Sequence, residues 1–240
     1  MARAPALSIA IAEKRYPGEQ TALFSGLQLD IEPGTVLAVL GPSGVGKSSL
    51  LRLLAGADGG FSGQIRVGGV SAAEAGPPGF VFQDARLLPW LSVRDNVRLV
   101  RPELDDAAVG SLLERVGLAG QEDRWPGQLS GGMQRRVALA RALATGSGLL
   151  MLDEPFVSLD RDLVIEMRAL LARTLAATGV TTVLVTHLIE DAALLADRIV
   201  VLDGRPARIA ADLAIDTPRG DRDGSTILDI ERRIAERSAR

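Results

Sequence analysis

The sequence predicts an α/β fold: a mostly parallel β-sheet flanked by helices, with an antiparallel β subdomain at its edge and an inserted α-helical subdomain. Three runs, Val36–Leu40, Leu149–Leu152 and Val180–Val185, are almost continuously apolar, the last containing the predicted strand Thr181–Val185. Such runs are typical of strands buried on both faces of a parallel sheet. The earlier runs Leu7–Ala12 and Leu27–Ile31 alternate more between apolar and polar residues, which favours an antiparallel sheet with one solvated face.

Helical periodicity dominates the middle of the chain. No strong strand pattern occurs between residues 84 and 144, so the sequence predicts a helical subdomain over about 84–145 within a domain that spans 1–215. The segment 216–240 is predicted to be a charged tail ending in a surface helix, Ile227–Arg237. The other predicted strands are Gln64–Val67, Gly79–Phe82 and Ile199–Leu202, and the predicted helices are Lys47–Ala55, Asp105–Val116, Gly132–Ala144, Asp160–Ala177, Ile189–Ala196 and Thr226–Ser238.

The composition of the 240-residue chain excludes several classes of function. The single histidine, His187, excludes a multi-histidine metal site, and the absence of cysteine excludes disulfides and thiolate chemistry. The net charge of −3 argues against nucleic acid as a partner. No apolar run reaches the roughly 18–20 residues of a membrane-spanning helix, and the N-terminus lacks the apolar run of a secretory signal. We therefore expect any link to a membrane to go through a partner.

A glycine-rich segment follows the strand Val36–Leu40 and leads into a helix. It reads Gly41-Pro42-Ser43-Gly44-Val45-Gly46-Lys47-Ser48, followed by Ser49, and it matches the pattern G-x-x-x-x-G-K-[ST] at every defined position. Glycines without Cβ let backbone N–H groups point at phosphate oxygens, and the helix N-terminus adds partial positive charge. Lys47 is expected to reach the β- and γ-phosphates, and the Ser48 hydroxyl to ligate Mg²⁺. The sequence thus predicts a P-loop NTPase core rather than an ordinary glycine-rich turn.

Two carboxylates end the strand Leu149–Leu152. In a parallel sheet, ligands bind at the carboxyl ends of the strands, where Asp153 is placed to hold Mg²⁺ and Glu154 to orient the water that attacks a γ-phosphate. Two neighbouring carboxylates are costly in a buried site unless a cation balances them, and a phosphate-bound Mg²⁺ would do so. Taken alone, the pair is more typical of a turn with an acidic helix cap than of a catalytic site; the phosphate loop in the same chain favours the catalytic interpretation.

Between these motifs lies the segment Leu129–Leu143, which begins Leu-Ser-Gly-Gly-Met. Read by itself, Ser130 predicts the N-cap of a strong helix, with glycines that permit close approach of an anion. The order of the motifs resembles the ATP-binding cassette (ABC) ATPases over about residues 5–215, with LSGGM where the commonest signature is LSGGQ. Ser130, Gly131 and Gly132 would then be signature residues.

Other positions resemble further motifs of that family. Gln83, after the strand Gly79–Phe82, resembles the Q-loop glutamine, which senses Mg²⁺ and the attacking water. Ser158-Leu159-Asp160 resembles the D-loop, and His187 the switch histidine that contacts the γ-phosphate. Tyr16 lies 25 residues before Gly41, where the family places an aromatic ring that stacks on adenine. Taken one at a time, these residues have alternative interpretations. The glutamine could simply be a polar residue after a strand, the histidine could be a cap or core residue, and the tyrosine could be a core or surface residue.

The resemblance implies ATP bound between two copies arranged head to tail, with one phosphate loop facing the other copy's signature. It implies ATP and Mg²⁺ as cofactors. The residues it implies for catalysis are Lys47, Gln83, Glu154 and His187; those for Mg²⁺ are Ser48, Gln83 and Asp153; and those for nucleotide are Tyr16, Gly41, Pro42, Ser43, Gly44, Val45, Gly46, Lys47, Ser48, Ser49, Ser130, Gly131, Gly132 and Asp160.

One stretch narrows the resemblance to a branch of the family. Phe80–Val97, with its core Phe-Gln-Asp-Ala-Arg-Leu-Leu-Pro-Trp, is similar to the nitrate, sulfonate and taurine importers. That branch implies membrane permease subunits as partners, a periplasmic solute-binding protein acting indirectly, and a location on the cytoplasmic face of the inner membrane. We call Leu87–Trp90 the docking segment; it is either a partner surface or part of the helical core. An export or lipid-handling ATPase and a non-transport ABC ATPase are the alternative functions.

Overall fold

The computed structural model describes residues 2–238. The chain forms two compact units. Residues 4–77 and 179–238 form the first, which we call the loop unit because it contains Gly41–Ser48. Residues 2–3 and 78–178 form the second, the helical unit, which interrupts the loop unit in sequence.

The strands and helices follow one another along the chain in mixed order. The strands are β1 (Leu7–Lys14), β2 (Phe24–Ile31), β3 (Val36–Leu40), β4 (Phe61–Val67), β5 (Val70–Ser71), β6 (Gly79–Val81), β7 (Leu149–Asp153), β8 (Thr181–Val185), β9 (Arg198–Asp203) and β10 (Arg208–Ala214). The helices are α1 (Lys47–Leu54), α2 (Val93–Arg98), α3 (Asp106–Arg115), α4 (Gly131–Ala144), α5 (Arg161–Thr178), α6 (Ile189–Leu195) and α7 (Gly224–Ser238).

The loop unit contains an antiparallel sheet in the order β2-β1-β4-β5. Its central strand β1 alternates buried and exposed residues, with Leu7, Ile9 and Ile11 on the buried face. Ile9 pairs with Leu29 on one side and Ile65 on the other, so the apolar face continues across three strands. This register follows from the alternation, since a shift of one residue would turn every apolar side chain to solvent.

The loop unit also contains the parallel strands β9, β3 and β8, with β3 between the other two and β10 antiparallel to β9. Every residue of β3 and β8 is buried, as their continuous apolar runs predict. Helix α7 packs against α6 and β10 and buries Ile230. Arg222, just before it, donates to the carbonyls of Ala193 and Ala196 at the end of α6, at 3.0 and 2.6 Å.

In the helical unit, β6 and β7 run parallel, and α4 packs against β6, α2 and α3. The close approach of β6 to α4 requires glycine at position 79, since a Cβ there would lie 2.5 Å from the carbonyl oxygen of Ala142. Ser92 caps α2 and Asp105 caps α3, each through a side-chain oxygen that accepts a backbone N–H bond.

The predicted α/β class with parallel strands, flanking helices and an antiparallel sheet is confirmed. Each predicted strand and helix has a counterpart within a few residues of its predicted bounds. Three short or weakly patterned elements are not predicted by the sequence: β10, whose Ala-rich sequence alternates only weakly, β5, which has two residues, and α2, which has six. Within residues 2–238, none of the helices combines the length and hydropathy that crossing a membrane requires.

Candidate nucleotide site

The phosphate loop, Gly41–Ser48, takes its shape from its glycines. β3 ends at Leu40 and α1 begins at Lys47, and the chain between them passes through left-handed conformations at Gly44 (φ 81°) and Gly46 (φ 112°). A Cβ at Gly41 would lie 2.5 Å from the carbonyl oxygen of Leu202, and one at Gly46 would lie 2.8 Å from the Phe24 ring. Both positions therefore require glycine, and the loop is fixed against β9 and β2.

Lys47 is held over this loop by the loop's own backbone. Its side chain is buried, and Nζ donates to the carbonyl oxygens of Gly41 and Pro42 at 2.8 and 3.2 Å. Gly46 is the N-cap of α1 and brings no side-chain cap, so Ser48 and Ser49 lie in a first turn capped by no side chain. This arrangement places an ammonium group and a helix N-terminus together, which suits an anion such as a phosphate.

His187 lies at the same sheet edge as the phosphate loop. Val39 of β3 pairs with Val185 of the parallel strand β8, so Gly41 and His187 each lie two residues beyond this pair. Thr186 fixes the turn: its N–H donates to Val39 O at 3.3 Å, and its hydroxyl donates to Asp191 at 3.0 Å. The imidazole residue is exposed at the carboxyl end of the parallel strands, where ligands bind in such sheets.

Tyr16 is hydrogen-bonded to α1 through Ser49. Its hydroxyl lies 3.2 Å from the Ser49 hydroxyl and 3.0 Å from an Asp58 carboxylate oxygen, and the ring is half-buried. A hydrogen bond from Lys14 lowers the pKa of Asp58, with further bonds from the Gly60 N–H and Tyr16 acting in the same direction. The loop unit thus connects Tyr16 to the helix that begins at the phosphate loop.

The helical unit brings the carboxylates and Gln83 together in the same way. Val81 of β6 pairs with Leu152 of β7, so Gln83 and Glu154 each lie two residues beyond this pair, and Asp153 is the last residue of β7. Glu154 adopts a left-handed conformation (φ 47°), which is costly for a residue with a Cβ. The sharp turn leads the chain away from β7 directly after Asp153.

Ser130 is the N-cap of α4, as predicted, and its hydroxyl accepts the N–H of Met133 at 3.3 Å. Gly132 is buried, and a Cβ there would lie 2.6 Å from Leu163 Cδ1 at the start of α5. Asp160 caps α5 by accepting the Leu163 N–H at 3.0 Å. Leu163 therefore connects the two: its side chain lies against Gly132 of the signature, and its backbone N–H donates to Asp160.

Sequence reasoning missed Arg135, which connects three segments of the helical unit. From α4 its guanidinium donates to the carbonyls of Gln83, Pro155 and Val157 at 2.5, 3.2 and 2.8 Å. Burial lowers the pKa of Arg135, a shift that the charge of Asp84 opposes. One side chain therefore fixes the backbone beside Gln83 and the turn after Glu154. No local pattern marks this role, because the three carbonyls lie 52, 20 and 22 residues away in sequence.

The docking segment is both exposed and anchored. Trp90 is 66% exposed, whereas Leu87 and Leu88 are half-buried, so the segment partly packs and partly faces solvent. The buried Asn96 accepts the N–H of Leu88 at 2.8 Å and donates to the carbonyls of Leu88, Leu91 and Ser92. Arg141 of α4 donates to the carbonyls of Ala85 and Arg86, both at 2.8 Å. A buried asparagine between Val93 and Val97 is the signal that could have identified this anchor.

The structure thus arranges the predicted residues in two sets. Gly41–Ser49, Tyr16 and His187 belong to the loop unit, and Gln83, Ser130–Gly132, Asp153–Glu154 and Asp160 to the helical unit. Apart from Tyr16, which follows the antiparallel strand β1, these residues lie at the carboxyl ends of parallel strands or at the start of a helix. Both are places where backbone N–H groups and helix dipoles favour anions.

Comparisons with known proteins agree with this geometry. The ABC transporter family profile matches residues 24–157. An aliphatic sulfonates import ATP-binding protein of Ralstonia nicotianae is 46% identical over 218 residues, which is 90% of this chain and 75% of that protein. A second protein of the same description, from Nocardia farcinica, is 49% identical over 209 residues, covering 86% of this chain and 83% of its own length.

Solved structures give the same result. A dimeric post-hydrolysis state of the ATP-binding cassette MJ0796, bound to ADP and Pi, has a TM-score of 0.75 and 26% identity. It is matched over 89% of this chain and 100% of its own. A subunit of the ABC transporter complex cbiONQ from Clostridium perfringens has a TM-score of 0.74 and 28% identity, over 86% of this chain and 87% of its own.

Proposed function

Because this chain belongs to the ABC transporter family, we propose that it is the ATP-hydrolysing subunit of an importer for aliphatic sulfonates or similar small anions. The observation that carries the proposal is the complete set of cassette motifs in a chain 46% identical to a sulfonate import ATP-binding protein over 90% of its length. The identity extends well beyond the nucleotide motifs, which all ABC ATPases share.

In the proposed reaction, the phosphate loop binds the triphosphate of ATP. The backbone N–H groups of residues 43–48, at the end of the loop and the start of α1, face the phosphate oxygens, and Lys47 exchanges its bonds to the Gly41 and Pro42 carbonyls for bonds to the β- and γ-phosphates. Ser49 lies at the first turn of α1, next to the Tyr16 hydroxyl. Tyr16, whose hydroxyl is bonded to Ser49 of α1, stacks on the adenine base.

Hydrolysis is assigned to the residues at the strand ends. Glu154 orients the attacking water and takes up its proton, and His187 hydrogen-bonds the γ-phosphate. Gln83 contacts the same water. Arg135 holds the main chain at Gln83 and after Glu154, so we assign it a positioning role. Little covalent chemistry is required of the protein, which acts by positioning and charge stabilisation.

The residues proposed for Mg²⁺ fit that ion. Ser48, Gln83 and Asp153 supply hydroxyl, amide and carboxylate oxygens, the hard donors that Mg²⁺ prefers. Within the described residues, no group of three His, Cys, Asp or Glu side chains could hold a metal ion. When bound, Mg²⁺ would neutralise charge on the β- and γ-phosphates.

A second copy of the chain is proposed to complete the site. The signature residues Ser130–Gly132 begin α4, and their N–H groups would reach the γ-phosphate held by the other copy's phosphate loop. Asp160, which meets the signature at Leu163, would lie at the same interface. ATP then holds the two copies together, and its hydrolysis lets them separate. The pair of copies therefore switches between a closed and an open state, and this switch would drive transport.

Membrane permease subunits are the proposed partners of the docking segment. Trp90 is 66% exposed and adjoins backbone to which Arg141 and Asn96 donate hydrogen bonds. Because Arg141 lies on α4, a partner that moves the segment would also move α4. The chain would be peripheral, on the cytoplasmic face of the inner membrane. A periplasmic binding protein would deliver the solute to the permease without touching this chain.

The test is reconstitution with a pair of membrane permease subunits and a periplasmic sulfonate-binding protein. In vesicles that enclose Mg²⁺-ATP, we expect an aliphatic sulfonate added with the binding protein to raise ATP hydrolysis and to enter the vesicles. The Trp90→Ala variant is expected to keep basal hydrolysis and to lose most of the stimulation. Hydrolysis indifferent to sulfonates but raised by a lipid or an exported compound would contradict the importer proposal.

A further inference from the structure

Lys14 is a buried lysine in the loop unit that the proposed reaction does not use. It is the last residue of β1 and one of only two lysines in the chain, the other being Lys47. Its side chain is 2% exposed, and lysine is almost never buried to this degree without a partner. The partner is Asp58, whose carboxylate oxygen lies 2.6 Å from Nζ.

This ion pair touches Tyr16 at two points. The Lys14 ammonium lies over the Tyr16 ring, 4.5 Å from its centroid, in the geometry of a cation–π contact. The other carboxylate oxygen of Asp58 lies 3.0 Å from the Tyr16 hydroxyl. Asp58 is itself fixed in its loop, because its Oδ1 also accepts the Gly60 N–H at 3.2 Å.

The contacts decide which face of the ring is available. A tyrosine on a loop can rotate about two side-chain torsions, and rotation would move its ring away from any base above it. Here the hydroxyl is held by Asp58 and Ser49, and one face lies beneath the Lys14 ammonium. A flat aromatic ligand can therefore stack only on the opposite face, and the ring is ordered before the ligand arrives.

We infer that Lys14 and Asp58 are positioning residues, which hold the Tyr16 ring so that its remaining face receives the purine base of the nucleotide. The inference rests on the proposed stacking of adenine on Tyr16. It adds residues that touch the ring rather than the nucleotide, and it predicts that their loss weakens recognition of the base and leaves recognition of the phosphates unchanged.

The experiment compares two ligands that differ in the base. Dissociation constants of ATP and of inorganic tripolyphosphate, both with Mg²⁺, are measured by titration calorimetry on the full-length chain. The variants are Tyr16→Ala, Lys14→Met and the double variant. The matched control is Arg66→Met, which removes an exposed cation from β4 of the same sheet. Thermal unfolding accompanies each titration, because a merely structural role would lower stability without changing the ratio of the two affinities.

Tyr16→Ala is expected to weaken ATP binding about tenfold and tripolyphosphate binding less than about twofold. Lys14→Met is expected to weaken ATP binding about three- to tenfold and, like Tyr16→Ala, to change tripolyphosphate binding by less than about twofold. The double variant should be no weaker than Tyr16→Ala, because Lys14 acts through the ring.

The outcomes separate the two hypotheses. If Tyr16→Ala leaves the ratio of the two affinities unchanged, the proposed base site is wrong. If Tyr16→Ala changes the ratio and Lys14→Met does not, the base site stands and the positioning role is overturned. Should Lys14→Met fail to fold, Tyr16→Phe decides, since it keeps the ring and the ion pair but removes the hydroxyl bonds. It is expected to weaken ATP about two- to fivefold, and an unchanged ratio would overturn the positioning role.

Discussion

The loop unit and the helical unit position their functional residues by different means. In the loop unit, eight consecutive residues shape the phosphate loop, and Lys47 is held by carbonyls five and six residues away. In the helical unit, the backbone near Gln83 and Glu154 is held by a guanidinium that reaches across 52 and 20 residues. Local backbone geometry makes the first set, and long-range side-chain bonds make the second.

This difference separates two kinds of mutational effect. A change in the phosphate loop acts directly on a group that faces the nucleotide. A change at Arg135 acts through backbone that the guanidinium supports, so turnover is expected to respond more than nucleotide affinity.

Glu154→Gln is expected to lower ATP turnover by about 10²- to 10⁴-fold, because the amide cannot accept the proton of the attacking water. ATP affinity should stay within about threefold, since the phosphate loop is intact. Phosphate release and equilibrium ATP binding measure the two quantities. Glu114→Gln, an exposed change on α3, is the matched control. Undiminished turnover would exclude Glu154 as the base.

Lys47→Ala is expected to weaken ATP binding about ten- to a hundredfold, because it removes charge-assisted bonds to the phosphates. Titration with Mg²⁺-ATP measures the loss, and Arg66→Ala serves as the control for removing a cation elsewhere in the loop unit. An unchanged affinity would reject the role of the phosphate loop.

Arg135→Gln is expected to lower turnover about tenfold and the free energy of unfolding by about 1–3 kcal/mol, because three backbone carbonyls lose a charged donor. ATP affinity should change less than about twofold. Arg115→Gln removes an exposed arginine of the helical unit and should change neither quantity. A loss of ATP affinity as large as that of Lys47→Ala would contradict the distinction between the units.

The smallest predicted effect concerns pH. The bond from Lys14 lowers the pKa of Asp58 in the folded protein below its ordinary value of 3.8. The unfolded chain therefore takes up this proton first as pH falls. The stabilisation from the pair is fully present above about pH 5 and is lost as pH falls below 3.8 through the folded pKa. The difference in unfolding free energy between wild type and Asp58→Asn, measured in urea, should shrink over that range. A difference that grows on acidification would reverse the assigned sign.

Prediction from sequence succeeded where neighbouring residues determine the structure. The phosphate loop, the N-cap at Ser130 and the continuously apolar strands are encoded within a few positions. In a parallel sheet the carboxyl ends of the strands lie at one edge, so these ends could be expected to carry site residues, whereas the register that aligns Gly41 with His187 and Gln83 with Glu154 is shown only by the structure.

The contacts of Arg135, Asn96 and Lys14 could not be predicted in the same way. Each depends on a packing of distant segments that carries no periodic signal. Lys14 lies 44 residues from Asp58, and as a charged residue at the end of a strand it resembles any solvated side chain. Only the structure shows that it is buried.

The proposed dimer, in which ATP is bound between two copies of this chain, is tested by the mass of Glu154→Gln in solution. Light scattering is expected to give the 25.3 kDa monomer without nucleotide and twice that mass, 2 × 25.3 kDa, with Mg²⁺-ATP. Adding Lys47→Ala to the same chain should abolish the shift. A Glu154→Gln chain that binds ATP to saturation and remains a monomer would contradict the account.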